Sequence, residues 1–524
     1  MKEKVVGALR PLIPEEVTIE VTIPDQEAFG HYSTNVAFKL AKTRGTSPIT
    51  IAEDIIKKIS TNPLFSRVEL KAPGFINVWI QDIEYYKELD KILLEKETYG
   101  KKIGKKNKKI QIEYVSANPT GPLTLANGRG GFLGDALSNV LDSQGFAVER
   151  EYYVNDTGNQ VVTLGKSLVA NCGHIPFEET FYKGEYVAEW AQEHKEFIEK
   201  HKDDPEHVGR AAADYFLSLI QEALEKKAKI HFDRYTSEQK DIHDKKYVEK
   251  VLDVLKTKNV VYEADGATWF KTTEFDDDKD RVLITSKKTP TYLLADAGHY
   301  LETKERGFYG KVLILGPDHY GYVARIQAVA KILGLEDSRV IITQAVRLLK
   351  GGEEMKMSKR KGAFVTFSEL IDEVGVDVAR FFFLMISPDS HMDFDIDLAR
   401  EHSNKNPVFY LQYAFVRASS ILQKTECGAC SDYAPLATPE DTLLMRKLSE
   451  FPDILEEVGA TFSVHRITQY AGELSRAFHN FYEKEHVDGV EEKTMRARRA
   501  LVEASQHVLG NTLRILGCST PEKM

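Results

Sequence analysis

The sequence predicts an α/β fold, a doubly wound parallel sheet carrying an insertion, preceded by a small α+β unit and followed by an all-α helical bundle. Three observations carry this. Residues 110–145 read as strand, loop and helix in immediate succession. Short apolar runs of the kind that fill buried parallel strands recur at 312–316 and 340–344, with a helical pattern between them. From about residue 399 onward the periodic stretches have 3–4 spacing. Alternating strands and helices of this kind place ligands beyond the carboxyl ends of the strands.

Residues 1–107 form the first unit. HYSTNVAFKLAK (31–42) and IAEDIIKKI (51–59) have helical periodicity, and VTIEVTI (17–23) and GFINVWI (74–80) alternate as strands. His31 reads as a turn residue. The unit ends in KKIGKKNKK (101–109), six lysines in nine residues. That run serves equally as a solvated linker and as the local cationic footprint of a nucleic-acid partner. The whole chain carries a formal net charge of −10, which taken alone argues against such a partner, but a footprint is local.

The middle unit, 108–398, is organised around IQIEYVSANPTGPLTLANGRGGFLGDALSNVLDSQG (110–145). Ile110, Ile112 and Tyr114 alternate with Gln111, Glu113 and Val115, so one face of a strand is apolar. A Pro, Gly and small-polar cluster makes the loop, with Gly121, Gly128, Gly130 and Gly131 around the turn. Leu133, Ala136, Leu137, Val140 and Leu141 then give a helix its apolar stripe, and Gly145 ends it. Backbone N–H groups and a helix dipole above a strand end suit a phosphate, although the glycines match neither common phosphate-loop pattern. FAVEREYYV (146–154) is a second strand, GATWFKT (266–272) another, and YVARIQAVAKILG (322–334) a helix. Most of what lies between the second strand and VLILG (312–316), roughly 170–265, reads as a charge-rich insertion.

Downstream, GGEEMKMSKRKG (351–362) is a glycine-flanked loop loaded with Lys356, Lys359, Arg360 and Lys361. Such a loop suits closing over a polyphosphate and neutralising charge that develops as a phosphoryl bond breaks; a solvated surface loop is the alternative. GPDHYG (316–321) follows a strand end, and Asp318 with His319 suits contact with a ribose or an amino acid, against a locally satisfied loop histidine. DFDIDL (393–398) lacks the glycine and final glutamate of a calcium loop and reads as a helix start. In the bundle, 399–524, Tyr410, Tyr413, Phe478, Phe481 and Tyr482 lie in the helices, where core packing accounts for most aromatics.

SANPTGPLTLAN (116–127) resembles the region around the first signature of class I aminoacyl-tRNA synthetases, His-x-Gly-His, and KMSKR (356–360) resembles the second, KMSKS. The segments IEYVSANPTGPL, GRGGFLGDAL, EYYVNDTGNQ, DDKDRVLI and ISPDSHMDFDIDLA are similar to the bacterial arginyl-tRNA synthetases, and the likeness runs from about residue 30 to LGCSTPEKM at 516–524. The resemblance implies a Rossmann-like catalytic domain, an N-terminal domain that docks the tRNA elbow and an anticodon-binding bundle. It implies a ligase that activates L-arginine with ATP to arginyl-adenylate, releases pyrophosphate and passes arginine to tRNA(Arg). Arginine would be held by Glu113, Ser116, Asn118, Glu238, Tyr292, Asp296 and His319. ATP would be held by Pro122, Leu123, Ala126, Gly128, Gly316, Asp318, Met357 and Ser358, with Thr124, Asn127, Lys356 and Lys359 stabilising transition-state charge. Magnesium is expected with ATP as a substrate complex, without a structural metal. The resemblance leaves open whether bound tRNA is required before arginine is activated.

Chemistry supports the same assignment. A guanidinium is planar, permanently charged and carries five donors, so selecting it calls for fixed carboxylates aided by a phenol. Asp296 and Tyr292 in TYLLAD supply both types; Asp296 is alternatively a helix N-cap, and Glu238 rests on fewer matched residues. One departure from the family stands out, because Thr124-Leu125-Ala126-Asn127 replaces His-x-Gly-His. Thr and Asn still donate hydrogen bonds, whereas a methyl at 126 crowds the place where the family glycine admits adenine. A degenerate tRNA- or arginine-binding protein without activation activity is the alternative reading. Four scattered cysteines make no disulfide framework, and Cys427 with Cys430 is a lone CxxC. With no run of about 18 apolar residues and a charged start, a cytoplasmic monomer without membrane contact is expected.

Overall fold

The computed structural model describes residues 1–24, 26–102, 108–355, 366–425 and 427–524, apart from the side chain of Glu27. Among them, five parallel strands build the central sheet: β1 (Lys109–Glu113), β2 (Ala147–Val154), β3 (Arg234–Ser237), β4 (Gly310–Leu315) and β5 (Arg339–Ile342). Their order is β5-β4-β1-β2-β3, so the middle strand comes first in the chain. Helix α1 (Leu125–Ser143) covers one face and α2 (Tyr292–Glu305) the other, while α3 (Val323–Leu333) joins β4 to β5. Toward α1 the sheet presents Ile110, Ile112, Tyr114, Val312 and Ile314, all buried in one apolar core. This is the doubly wound arrangement that the alternating pattern predicts.

Three features differ from the sequence reading, and the burial on β1 adds to it. The polar side of β1 is not solvated: Gln111 and Glu113 are buried, because a central strand with helices on both faces has no wet side. Gly128, Gly130 and Gly131 lie inside α1 and not in a loop. A Cβ on Gly128 would come within 2.2 Å of the Phe367 ring, and one on Gly134 within 2.2 Å of Tyr114, so these glycines let the helix approach its neighbours. Residues 32–34 of HYSTNVAFKLAK are strand, and the helix runs only over Val36–Arg44. Finally, β3 pairs parallel to β2 as the sheet edge, so the chain between 170 and 265 returns to the sheet before leaving again.

The N-terminal unit is a four-stranded antiparallel sheet with helices Lys2–Leu9, Val36–Arg44, Pro48–Ile59 and Asp82–Glu95. His31 there accepts hydrogen bonds at Nδ1 from Ile80 N and from the Tyr85 hydroxyl, a structural placement. Residues 103–107 of the lysine run lie outside the described residues. The C-terminal unit is helical, with Pro407–Lys424, Pro439–Thr461, His465–Lys484 and Glu492–Leu516 as its long helices. Asp395 caps the short helix Ile396–Ala399 with its carboxylate, so DFDIDL is a helix start. The four cysteines are free thiols. Among the described residues no helix is long and apolar enough to cross a membrane.

The two ends of the chain pack on each other and on the central unit. Tyr32 donates to Asp453 at 2.9 Å, and Asn511 Nδ2 donates to the Lys96 carbonyl at 2.9 Å. Buried Arg380 bonds Asp135 of α1 and the carbonyls of Ala228 and Lys229 at 2.9 and 3.1 Å, with the Leu516 carbonyl at 3.5 Å. One guanidinium thus ties the central helix, the end of the insertion and the last helix of the bundle.

Candidate active site

Glu113, Glu238 and Gly316 stand at or just past the carboxyl ends of β1, β3 and β4, around the first turn of α2. After Glu113 the backbone turns through Val115 and Ser116 with φ of 66° and 37°, a left-handed passage that is costly for a β-branched residue. The turn brings Ser116 Oγ to Glu113 Oε1 at 3.2 Å, where it also accepts from Tyr153 N at 3.1 Å. Asn118 and Thr120 follow, half-buried, with Thr120 N donating to the Asn118 carbonyl. Pro122 is exposed and Leu123 buried.

Thr124 is the N-cap of α1, and Asn127 is the third residue of that helix. The two form a reciprocal capping box: Thr124 N and Oγ1 donate to Asn127 Oδ1 at 2.9 and 2.7 Å, and Asn127 N donates to Thr124 Oγ1 at 3.4 Å. The box uses the carbonyl oxygen of Asn127 and leaves its NH₂ outside. Ala126 is half-buried between them. The second signature, with Lys356, Met357, Ser358 and Lys359, lies outside the described residues. Of the two flanks of that stretch, one is a hairpin and the other is bonded to the first signature. On one side Val346–Lys350 and Glu353–Glu354 form a hairpin whose two-residue turn, Gly351 and Gly352, has φ of 62° and 79°, the mirror-image turn that hairpins favour. On the other, Phe367 N donates to the Leu123 carbonyl at 3.0 Å.

The acidic residues converge. Asp296 is half-buried on α2, one turn after exposed Tyr292. Burial pushes its carboxyl up to about 6; the hydrogen bond from Tyr322 opposes this, and the charges of Glu113 and Glu238 add to it. Glu238 is also raised, by burial first, with His243 at 3.3 Å pulling the other way and the Asp156 charge pushing up. Tyr153 is held well above its usual range by burial and by facing Glu238, Asp296 and Glu113. Three carboxylates therefore stand close enough to act on one another. Asp318 and His319 sit in the turn Pro317–Tyr322, which Gly316 opens, and both are exposed.

Beneath the pocket lies a layer the sequence did not reveal. Lys311 of β4 is fully buried, with Nζ 2.8 Å from Gln111 Oε1, 2.9 Å from Glu113 Oε2, 3.0 Å from Glu151 Oε2 and 3.1 Å from His299 Nε2. His299 of α2 lies 3.0 Å from Glu151 and stacks on Tyr153 at 4.4 Å between centroids. The ion pairs hold Glu151 well below the usual carboxylate range against the opposing effect of burial, and raise Lys311 likewise. Asp156 supports the neighbouring wall, accepting from Ser237 Oγ at 2.6 Å and Gln239 N at 3.0 Å on either side of Glu238. Arg129, buried in α1, donates to the carbonyls of Gln344, Ser387 and Ser390 at 2.8–2.9 Å and fixes the helix to the far rim. Lys311 immediately precedes the apolar run 312–316, and its buried partners come into view only through the strand register.

The geometry agrees with what the chain is similar to. Family models match at residues 1–80 (arginyl tRNA synthetase N-terminal domain), 88–382 (tRNA synthetases class I (R), catalytic domain) and 411–524 (DALR anticodon-binding domain). An arginine–tRNA ligase of Syntrophotalea carbinolica is 39% identical, covering 98% of this chain and 95% of its own length. That of Thermotoga maritima is 39% identical over 100% and 99% respectively. Among solved structures, the Thermus thermophilus arginyl-tRNA synthetase superposes with a TM-score of 0.81 at 20% identity, covering 100% of this chain and 99% of its own. The Plasmodium falciparum protein does so with 0.78 at 17% identity, with the same coverage. These last two bear on the fold alone.

Proposed function

This chain belongs to the arginyl-tRNA synthetase family, and from that premise we propose that it is an arginine–tRNA ligase whose arginine pocket is the acidic cleft above β1, β3 and α2. The observation that carries the reading is the convergence of Glu113, Glu238 and Asp296, with Asp296 pushed up to about 6. Carboxylates crowded together in a partly dry pocket destabilise one another, and a cationic side chain relieves them all. Asp296 and Glu238 meet the guanidinium, with Tyr292 closing over it. Glu113, fixed by Ser116, takes the α-ammonium and Asn118 the α-carboxylate. Lysine or a neutral side chain leaves acceptors unpaired and is rejected.

ATP lies against the first turn of α1, at Pro122, Leu123 and Ala126, while Gly128, which the resemblance also offers, is packed on Phe367 instead; Gly316 and Asp318 stand at its ribose end and His319 toward the amino acid. The arginine carboxylate attacks the α-phosphate in line; the bond to pyrophosphate breaks and arginyl-adenylate forms. Positioning and charge stabilisation carry that step. Asn127 supplies its free NH₂, α1 its N-terminal amides, and Lys356 and Lys359 meet the departing pyrophosphate, which magnesium accompanies. The ribose hydroxyl at the end of tRNA(Arg) then displaces AMP. The N-terminal unit to about residue 107 and the bundle from about 399 hold the tRNA, and the protein works as a monomer in the cytoplasm.

The test is aminoacylation of tRNA(Arg) with labelled arginine and ATP, alongside a variant carrying Thr124→His, Ala126→Gly and Asn127→His. Arginylation by the natural chain is expected. Failure of both folded proteins with intact tRNA would discard the substrate assignment.

A further inference from the structure

Glu113, Glu151 and His299 bring one potential ligand atom each to within 4.8 Å of one another, a spacing that ordinarily gathers around a bound cation. Here the centre is filled from within. The Lys311 ammonium lies within 3.1 Å of an atom of each, and it is shut off from solvent. The register explains how it gets there: Lys311 is paired with Gln111 across β1 and β4, and Glu113 with Glu151 across β1 and β2, so all point to the face that α2 covers. Tyr300 closes the layer, its ring centroid 5.2 Å from the ammonium. Both oxygens of Glu113 are thereby engaged, Oε2 by Lys311 and Oε1 by Ser116. That leaves the carboxylate no rotational freedom at the floor of the pocket.

We propose that Lys311 is a positioning residue for amino-acid recognition, an internal counter-ion that locks Glu113 in the orientation needed to receive the substrate's α-ammonium. The inference rests on the assignment of the acidic cleft as the arginine pocket. It makes a demand that general structural support does not: loss of Lys311 must weaken only those ligands that carry an α-amino group. Glu238 and Asp296, which face the guanidinium, have no contact with Lys311.

The experiment compares the full-length natural protein with Lys311→Met, using arginine as substrate and two competitive inhibitors. Agmatine keeps the amine and the guanidinium but lacks the carboxylate; 5-guanidinopentanoate keeps the carboxylate and the guanidinium but lacks the amine. The expected result is a rise of roughly tenfold or more in the KM for arginine and in the inhibition constant of agmatine, with kcat little changed, which is loss of ground-state binding. The inhibition constant of 5-guanidinopentanoate should stay within about twofold, the scatter expected where no shared contact is lost. Equal weakening of both inhibitors, or no weakening of either, overturns the proposal. If the natural protein binds neither inhibitor, it is the pocket assignment that fails instead. Lys311→Gln, close in length and still a donor to Gln111, is the second variant should methionine prevent folding; the same ratio of inhibition constants decides.

Discussion

At the scale of single residues, the pocket is a place where function is held against stability. Asp296 has a folded-state pKa of about 6 against roughly 3.9 in an unfolded chain. A carboxylate raised on folding is a liability that is full above pH 6 and is relieved as the pH falls between about 6 and 4. Asp296→Asn is therefore expected to raise the stability of the ligand-free protein by about 1–3 kcal/mol at pH 7, measured by urea unfolding, while destroying arginine use. The stabilisation should vanish near pH 4. If Asp296 pairs with the guanidinium as proposed, the natural enzyme should lose arginine affinity as the pH drops through 6, where the carboxylate takes up a proton. A KM for arginine that stays flat from pH 7.5 to 5.5 would count against Asp296 as its partner.

Helix α1 shows the same tension at the scale of an element. Its first turn is closed by the Thr124–Asn127 box, and its length is fitted to the core by glycines. Thr124→Ala removes the cap and is expected to cost about 0.5–2 kcal/mol as well as activity. Gly134→Ala, well down the helix from the box, drives a methyl into Tyr114 and should cost about 1–3 kcal/mol; thermal melts of the two variants separate the cap from the packing. These assignments show what was legible in the chain. Strand, loop and helix over 110–145 follow from local periodicity and from Gly145, whose φ of 89° ends α1. The layer of Lys311, Glu151 and His299 was not legible, because alternation in β1 and β2 is identical for a wet face and for a buried polar one. Thr124 and Asn127 were read as phosphate donors from resemblance alone, although T-x-x-N at a helix start is itself a capping pattern. Glu113, Glu238 and Asp296 are proposed from resemblance, and their mutual electrostatic pressure needed the fold.

On the scale of the whole molecule, Arg380 is the joint. It is the only one of the groups described above that touches α1, the end of the insertion and the last helix together. Arg380→Met strips Asp135 of its closest counter-ion and frees three carbonyls, leaving Arg150 at 3.8 Å as the other cation near it. Breaking a buried pair from one side is expected to cost about 3–5 kcal/mol. Calorimetry should show the variant melting earlier, and limited proteolysis should release the helical bundle at temperatures where the natural chain stays intact. An unchanged melting profile would mean that the three units hold together without it.

The layout of the sheet also sets a timetable for synthesis. β1 is made early, yet the ammonium that it needs is 200 residues from Gln111. At translation speeds of about 5–20 residues per second, that interval is roughly 10–40 s. Until Lys311 is made, Glu113 belongs to a half-built sheet without its ammonium, although Glu151 gains Arg234 at 4.0 Å on the way, and β1 lacks its neighbour on one side. A ribosome stalled ahead of β4 should therefore carry an N-terminal unit that resists protease and a following segment that chaperones hold open. The acidic site is therefore expected to be completed late, when β4 joins β1.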